Sequence, residues 1–177
     1  MYLYHGTKTE FDQFDVSYWG SGEAGTIRAC WFTDNFEGAR NHACYKNRNA
    51  GQPRVLRCKL SDKAVLADFG KMLSDQPELA AMLNKHLPVS ISTLIPNGLY
   101  WHRLSRPKYY KDTYGKTHFI GKEGVLVEEQ IELFRRCGIH GVHDWEREWT
   151  DAYLKGSTTV IFDVSVIEIE EVMLIEP

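Results

Sequence analysis

The sequence opens with Met1-Tyr2-Leu3-Tyr4-His5-Gly6-Thr7, and the order of side chains in this stretch decides the first element of the fold. Large apolar and aromatic residues alternate up to His5, and Gly6 follows. Such alternation predicts a short strand from Met1 to His5 that ends in a turn at Gly6. His5 is therefore expected at a strand end, beside a glycine whose main chain a ligand can approach closely.

A second strand and a helix are predicted after a loop that runs from Phe11 to Gly25, whose aromatic side chains are expected to pack back on the body. Ala29 to Phe32 has the character of a strand. Thr33, Asp34 and Asn35 then provide capping side chains for a helix from Phe36 to about Lys46. One face of that helix carries Ala39, His42 and Ala43.

The remaining pattern predicts an α+β fold in a single domain that covers residues 1–177. Two helices are expected at Ser74–His86, capped by Ser74 or Asp75, and at Gly124–Cys137, stopped by Gly138. Four further strands are expected, at Arg54–Leu60, Gly141–Trp145, Thr158–Phe162 and Ile167–Ile175. An insertion at about Asn97–Lys122 is rich in tyrosine and basic residues.

Composition narrows the classes of protein to which the chain can belong. The net charge of -3 with 25% charged residues gives no overall basic excess that would demand a nucleic acid. No stretch has the roughly 20 apolar residues of a membrane span, and the first residues do not have the pattern of an export signal. Four singly spaced cysteines indicate reduced thiols and a cytoplasmic location, which includes delivery into a host cytosol.

Both ends of the chain resemble the ADP-ribosyltransferase superfamily, in the branch of diphtheria toxin and the poly(ADP-ribose) polymerases. The stretch Leu3 to Thr7 and the stretch Trp31 to Asp34 match its His-Gly-Thr strand and its aromatic-Phe strand before a helix. Gly138 to Val142 and Val160 to Asp163 resemble its last strands. The middle, about residues 60–125, carries no family motif. The resemblance implies an ADP-ribosyltransferase-like split β-sandwich with helices grouped around it.

The resemblance also implies a pocket for NAD, the co-substrate of this family. The main chain of Gly6 would hold the nicotinamide carboxamide, and His5 would hydrogen-bond the adenosine ribose. Flat rings would enclose the nicotinamide. The cofactor-binding residues implied in this way are His5, Gly6, Thr7, Trp31, Phe32 and His42, with Tyr45 as a spare ring.

The catalytic carboxylate departs from the family pattern. Thr158 stands where the glutamate of the resembling families would be. The loop upstream contains Glu146-Arg147-Glu148, which has the Glu-x-Glu spelling of arginine-modifying relatives, although those relatives carry an arginine where this chain has His5. Either Glu148 or Asp151 reaches the ribose, or the usual carboxylate is missing. The implied catalytic residues are His5, Glu148 and Glu146.

Several functions follow as expectations. The first is an NAD-dependent ADP-ribosyltransferase that modifies a macromolecular acceptor, a protein in preference to a nucleic acid, as a bacterial or phage toxin or effector with a possible inhibitor or antitoxin partner. An NAD glycohydrolase and a catalytically silent binding protein of the same fold are the alternatives. A nucleic-acid-directed enzyme that works through the insertion is a further one. Neither a metal site nor a membrane partner is expected.

Each candidate residue also has a plain structural explanation. His5 can be a strand-end histidine that bonds a backbone carbonyl. Only one of Trp31 and Phe32 can face a pocket, because successive side chains of a strand alternate. His42 can be structural. His140, His143 and Asp144 resemble a set of metal ligands, but the two imidazoles are expected on opposite faces of a strand.

Overall fold

The computed structural model describes residues 1–18, 28–47, 49–86, 110–111, 117–118, 125–145 and 155–176. The chain divides into two compact units. The first consists of Met1–Gly70 together with Ile139–Pro177, and the second of Lys71–Gly138. The expectation that the chain forms one domain stays a prediction.

Among the described elements, two strands precede each α-helix, and three strands follow the last helix. The helices are α1 (Phe36–Asn41), α2 (Pro77–Asn84) and α3 (Val125–Arg136). The strands are β1 (Tyr2–Thr7), β2 (Cys30–Thr33), β3 (Arg54–Leu60), β4 (Leu66–Asp68), β5 (Tyr110–Lys111), β6 (Thr117–His118), β7 (Gly141–His143), β8 (Thr158–Ile161) and β9 (Ile167–Leu174).

The first unit is built on one mixed sheet of seven strands in the order β4-β7-β8-β2-β1-β3-β9. The pair β4 and β7 is parallel, and the other neighbours are antiparallel. Strand β3, from the first third of the chain, pairs along its whole length with β9, which lies near the C-terminal end of the sequence. The strands predicted near the two termini therefore belong to one sheet.

The sheet is weakly joined at its centre, between β1 and β2. These strands share the single register pair Tyr4↔Thr33, whereas β1 and β3 pair at every residue from Tyr2 to Thr7. Beyond Tyr4 the two strands form no further register pair. We call this place the β1–β2 seam, and it divides β4-β7-β8-β2 from β1-β3-β9.

Apolar side chains cover both faces of the sheet. On one face Leu3, Phe32 and Leu56 belong to a buried cluster against which Phe11 and Phe14 pack. On the other face, α1 contributes Ala39 to a second cluster; its members and the residues packed against them are Tyr4, Phe36, Ala39, Cys44, Val55, Met173 and Ile175. Residues of β1 thus alternate between the two layers, as a strand requires.

Helix α1 begins with a side-chain cap and changes its pitch at its end. The side chain of Asn35 accepts a hydrogen bond from the Gly38 N–H at 3.1 Å, which satisfies a free donor of the first turn. From His42 to Lys46 the chain forms a π-helical segment, in which the Asn47 N–H bonds the His42 carbonyl at 2.9 Å. Ala39 and Ala43 are buried, so the predicted apolar face of this helix is confirmed.

The second unit contains α2, α3 and the short β5–β6 pair. Leu79, Ala80 and Leu83 of α2 are buried, as are Ile131 and Phe134 of α3. Gly138 follows α3 with a φ of 73°, a left-handed conformation that glycine adopts without strain. The predicted stop of this helix is therefore confirmed.

The structure confirms the α+β class and corrects several boundaries. Strand β1 continues to Thr7, so His5 lies inside the strand and not at its end. Helix α2 begins at Pro77 after Gln76, which makes no side-chain cap, so the caps predicted at Ser74 or Asp75 are wrong. The sequence did not predict β4. No helix among the described residues is long and apolar enough to cross a membrane.

Candidate functional site

The seam is closed on the β2 side by a hydrogen bond from His5. Nδ1 of His5 lies 2.7 Å from the carbonyl oxygen of Trp31. A carbonyl only accepts, so Nδ1 carries the proton and, in the neutral ring, Nε2 is an acceptor. The imidazole thus binds a β2 carbonyl just where regular pairing between β1 and β2 has ended. His5 has a structural partner and retains one acceptor nitrogen.

A second imidazole binds the other side of the seam. Nδ1 of His42 lies 3.0 Å from the carbonyl oxygen of Gly6, so this ring also donates from Nδ1. Along a strand the N–H and C=O of one residue point to the same side, and alternate residues share that side. The N–H and C=O of Gly6 therefore point away from β3, toward the π-helical segment that begins at His42. The carboxamide acceptor implied by the resemblance is engaged by His42.

The His5 ring lies in an aromatic surrounding. Its centroid is 6.1 Å from that of Phe11, 5.3 Å from that of Phe14 and 5.6 Å from that of Phe32. Burial among these rings lowers the pKa of His5 to about 4; the hydrogen bond to Trp31 opposes this shift and the neighbouring charge of His42 adds to it. His5 is therefore neutral at pH 7.

The stability of the protein is expected to depend on pH through His5. The folded pKa of about 4 lies below the ordinary value of 6.5, so the unfolded chain binds the proton first as pH falls. The free energy of unfolding should thus decrease from pH 6.5 to pH 4, by up to about 3 kcal/mol. Urea unfolding of wild type and His5→Asn across this range measures it. The asparagine keeps a donor near Nδ1 but does not titrate, and an equal pH slope in both proteins contradicts the assignment.

The glycine at position 6 is required by packing. A Cβ atom built on Gly6 would overlap the carbonyl oxygen of Ala39 and would lie 2.9 Å from the backbone nitrogen of Ala43. Helix α1 and the π-helical segment thus rest directly on β1. Protein backbone fills the space on this face of Gly6, so a residue without a Cβ atom is needed for the helix to pack here. The N–H and C=O of Gly6 are the groups that point into the seam.

The start of β8 lies beside β2 and the first turn of α1. Thr158 pairs with Thr33 and is 5% exposed, and its carbonyl accepts a hydrogen bond from the Trp145 N–H at 3.0 Å. The carboxylate of Asp34 accepts from the Ser157 N–H at 3.0 Å. The position that the resemblance aligns with the glutamate of the ADP-ribosyltransferases is therefore fixed by backbone pairing, and it carries a buried threonine. Glu146, Glu148 and Asp151 lie outside the described residues.

The other residues expected in the pocket differ in burial and in the face of the sheet on which they lie. Thr7 is buried, and its hydroxyl accepts the Thr9 N–H at 3.0 Å, which forms the turn after β1. Phe32 packs on the His5 side of the sheet, so the side chain of Trp31 points to the α1 side and is half-buried. Tyr45 is 72% exposed and therefore does not belong to the enclosed set.

The histidines near β7 have structural partners. Nδ1 of His140 accepts a hydrogen bond from the Val65 N–H at 3.0 Å, and Nδ1 of His143 lies 3.2 Å from the Thr159 hydroxyl oxygen. In the described part of the chain, no three His, Cys, Asp or Glu side chains come together as metal ligands. His140 instead joins the segment before β4 to the segment before β7.

Two features of the site were not predicted from sequence. One is the contact of Phe11 and Phe14 with His5; the loop aromatics were expected to pack on the body, but nothing indicated the histidine as their partner. The other is the bond between Asp34 and Ser157, which joins residues far apart in the chain. No family model, curated protein or solved structure matches this chain.

Proposed function

We propose that this protein is an NAD-dependent ADP-ribosyltransferase, and that NAD binds at the β1–β2 seam. One observation carries the proposal: His5, Gly6, Trp31 and His42, expected in one pocket from their motifs, come from three separate elements and are joined pairwise by hydrogen bonds. The split β-sandwich belongs to the same proposal, and the single register pair between β1 and β2 supports it.

The proposed binding uses groups of two neighbouring residues of β1. The N–H and C=O of Gly6 provide one donor and one acceptor side by side, the pair that a carboxamide needs. Nε2 of neutral His5 accepts a hydrogen bond from a ribose hydroxyl. For the nicotinamide amide to reach the Gly6 carbonyl, the His42 imidazole must leave its present hydrogen bond. NAD binding is thus accompanied by a rotation of the His42 side chain.

The reaction breaks the bond between nicotinamide and the ribose C1′ atom. Nicotinamide leaves with the electron pair of this bond, and a nucleophile of the acceptor bonds to C1′ and loses its proton. A carboxylate that binds the ribose hydroxyl stabilises the positive charge that develops on the sugar. We assign this role to Glu148. With water as the nucleophile the same step gives an NAD glycohydrolase.

Nicotinamide release tests the proposal. Purified protein is incubated with NAD, with and without a cell extract as a source of acceptors, and free nicotinamide is measured alongside NAD binding by calorimetry. Release that is faster with extract supports the transferase, and equal release indicates the glycohydrolase. Bound but intact NAD removes both activities. Absence of NAD binding removes the proposed site.

A second candidate function is a catalytically silent protein that binds an ADP-ribose-like ligand or a protein partner through the same seam. The identity of residue 158 favours this function. The resemblance aligns Thr158, which is buried, with the carboxylate that the ADP-ribosyltransferases use for cleavage. In this case NAD or ADP-ribose binds without release of nicotinamide. Replacing any carboxylate of the 146–151 segment then leaves the measured nicotinamide unchanged.

Replacement of His42 by phenylalanine is expected to strengthen nicotinamide binding by up to about tenfold, because the ring is kept while the hydrogen bond that competes for the Gly6 carbonyl is lost. Calorimetric titration of nicotinamide into wild type and His42→Phe measures this. His42→Ala, which removes both the bond and the ring, is the matched variant. Weaker binding to His42→Phe than to wild type would show that the imidazole helps to hold the ligand.

A further inference from the structure

Strand β9 forms an edge of the sheet. Among the described strands it has one neighbour, β3, so the N–H and C=O groups of alternate residues along Ile167–Leu174 point away from the sheet. The strand is eight residues long, and it exposes Val172 by 47% and Leu174 by 58%. An edge of this length with exposed apolar side chains is a surface on which another extended segment can pair.

The edge contains a β-bulge, and a hollow lies beside it. Arg57 pairs with Glu171 and Cys58 with Ile169, so Glu170 is the extra residue on β9. Beside it lies a hollow of about 640 Å³, which the edge strand shares with the loop after β1. It is lined by Glu10, Phe11, Asp12, Arg54, Ile169, Glu170, Glu171 and Val172.

The chemistry of the hollow favours a cationic side chain with an apolar stem. Its apolar surface comes from Phe11, Ile169 and Val172, and four carboxylates surround it. Arg54 is the one cation among the lining residues and pairs with Glu10 at 3.5 Å. Arg57 pairs with Glu171 at 3.1 Å and with Glu170 at 3.7 Å, and Lys59 lies 3.9 Å from Glu170. Three cations therefore stand against the four carboxylates, and a net excess of one negative charge remains at the hollow.

The charge along β9 also selects the kind of partner. Glu168, Glu170 and Glu171 lie on the strand and Glu176 follows it. A second copy of the chain that paired edge to edge would bring these carboxylates together, and like charges on facing strands are unfavourable. A basic segment would meet opposite charge instead.

We propose that the β9 edge and its hollow bind an extended, basic segment of a partner protein, which adds a strand to the sheet and places an arginine or lysine side chain in the hollow. Backbone hydrogen bonds along the edge supply affinity, and the hollow selects the basic side chain. Phe11 lines the hollow, and its ring also contacts that of His5. The proposal does not depend on the proposed enzymatic activity.

Fluorescence anisotropy with synthetic peptides tests it. The probe is a labelled nine-residue peptide that alternates arginine and valine. Its controls are the same sequence with N-methyl groups on alternate residues, which removes backbone donors at constant charge, and a peptide with glutamate in place of arginine. We expect saturable binding of the probe, at least about tenfold weaker binding of the methylated peptide and no binding of the acidic one.

A protein variant locates the site. Val172→Lys adds a positive charge at the exposed rim of the hollow and should weaken probe binding at least about tenfold. Ala81→Lys adds the same charge on the exposed side of α2 and should leave binding unchanged. Equal binding by both variants, equal binding of the methylated peptide, or no binding up to about 1 mM probe overturns the proposal. So does a dimer in sedimentation that Val172→Lys dissociates, because the occupant is then a second copy.

Discussion

Glu148→Gln is expected to lower the rate of nicotinamide release from NAD by about 10²- to 10³-fold while the affinity for NAD stays the same. The amide keeps the size of the side chain and one hydrogen-bonding oxygen, but it removes the negative charge that stabilises the sugar as the glycosidic bond breaks. Single-turnover measurement of nicotinamide release, with NAD binding measured separately, separates this loss of chemistry from a loss of binding.

Two matched variants identify which carboxylate acts. Glu146→Gln and Asp151→Asn change the other carboxylates of the same segment and should each have a much smaller effect on release. If Asp151→Asn shows the large loss and Glu148→Gln does not, the assignment moves to Asp151. If all three variants release nicotinamide as wild type does, the carboxylates of the segment are incidental to cleavage.

Gly6→Ala is expected to destabilise the fold by about 3 kcal/mol or more, since the added Cβ atom meets the backbone of Ala39 in α1 and of Ala43 in the π-helical segment. Neither can move without shifting its helical segment. For a protein of this size the melting temperature should fall by about 6–12 °C. Thermal unfolding followed by circular dichroism measures it. The change should also abolish NAD binding, because α1 must shift away from the seam.

Gly138→Ala is the control for the cost of a glycine replacement alone. A Cβ atom there would have Met82 Cε at 3.9 Å as its nearest neighbour, but φ is 73°, so only backbone strain of about 1–2 kcal/mol is expected. A Gly6→Ala protein that is as stable as wild type would contradict the close contact between β1 and α1.

The strand and helix pattern near the two termini was predictable because local side-chain order determines it. Strand β3 was predicted with its observed bounds, the alternation of apolar residues identified β1, and the strand-like stretch Ala29 to Phe32 identified β2. Strand β4 was missed because its three residues, Leu66 to Asp68, are too few to show a period. The helix cap was misplaced because Pro77 fixes the first turn without a capping side chain.

The site was predictable as a set of residues but not as a set of contacts. Motif order indicated that His5, Gly6, Trp31 and His42 belong together. The partners of the two imidazoles depend on where the pairing of β1 with β2 ends and on the π-helical segment that begins at His42, and neither follows from local periodicity. Nor does the sequence show that the Gly6 carbonyl already has a hydrogen-bond donor.

The binding of NAD at the β1–β2 seam is tested most directly by a crystal structure of the protein soaked with NAD. We expect the nicotinamide carboxamide on the N–H and C=O of Gly6 and the His42 imidazole displaced from that carbonyl. Nε2 of His5 should lie within hydrogen-bond distance of a ribose hydroxyl. A bound nucleotide elsewhere on the protein, or a seam that keeps the His42–Gly6 bond at saturating NAD, would contradict it.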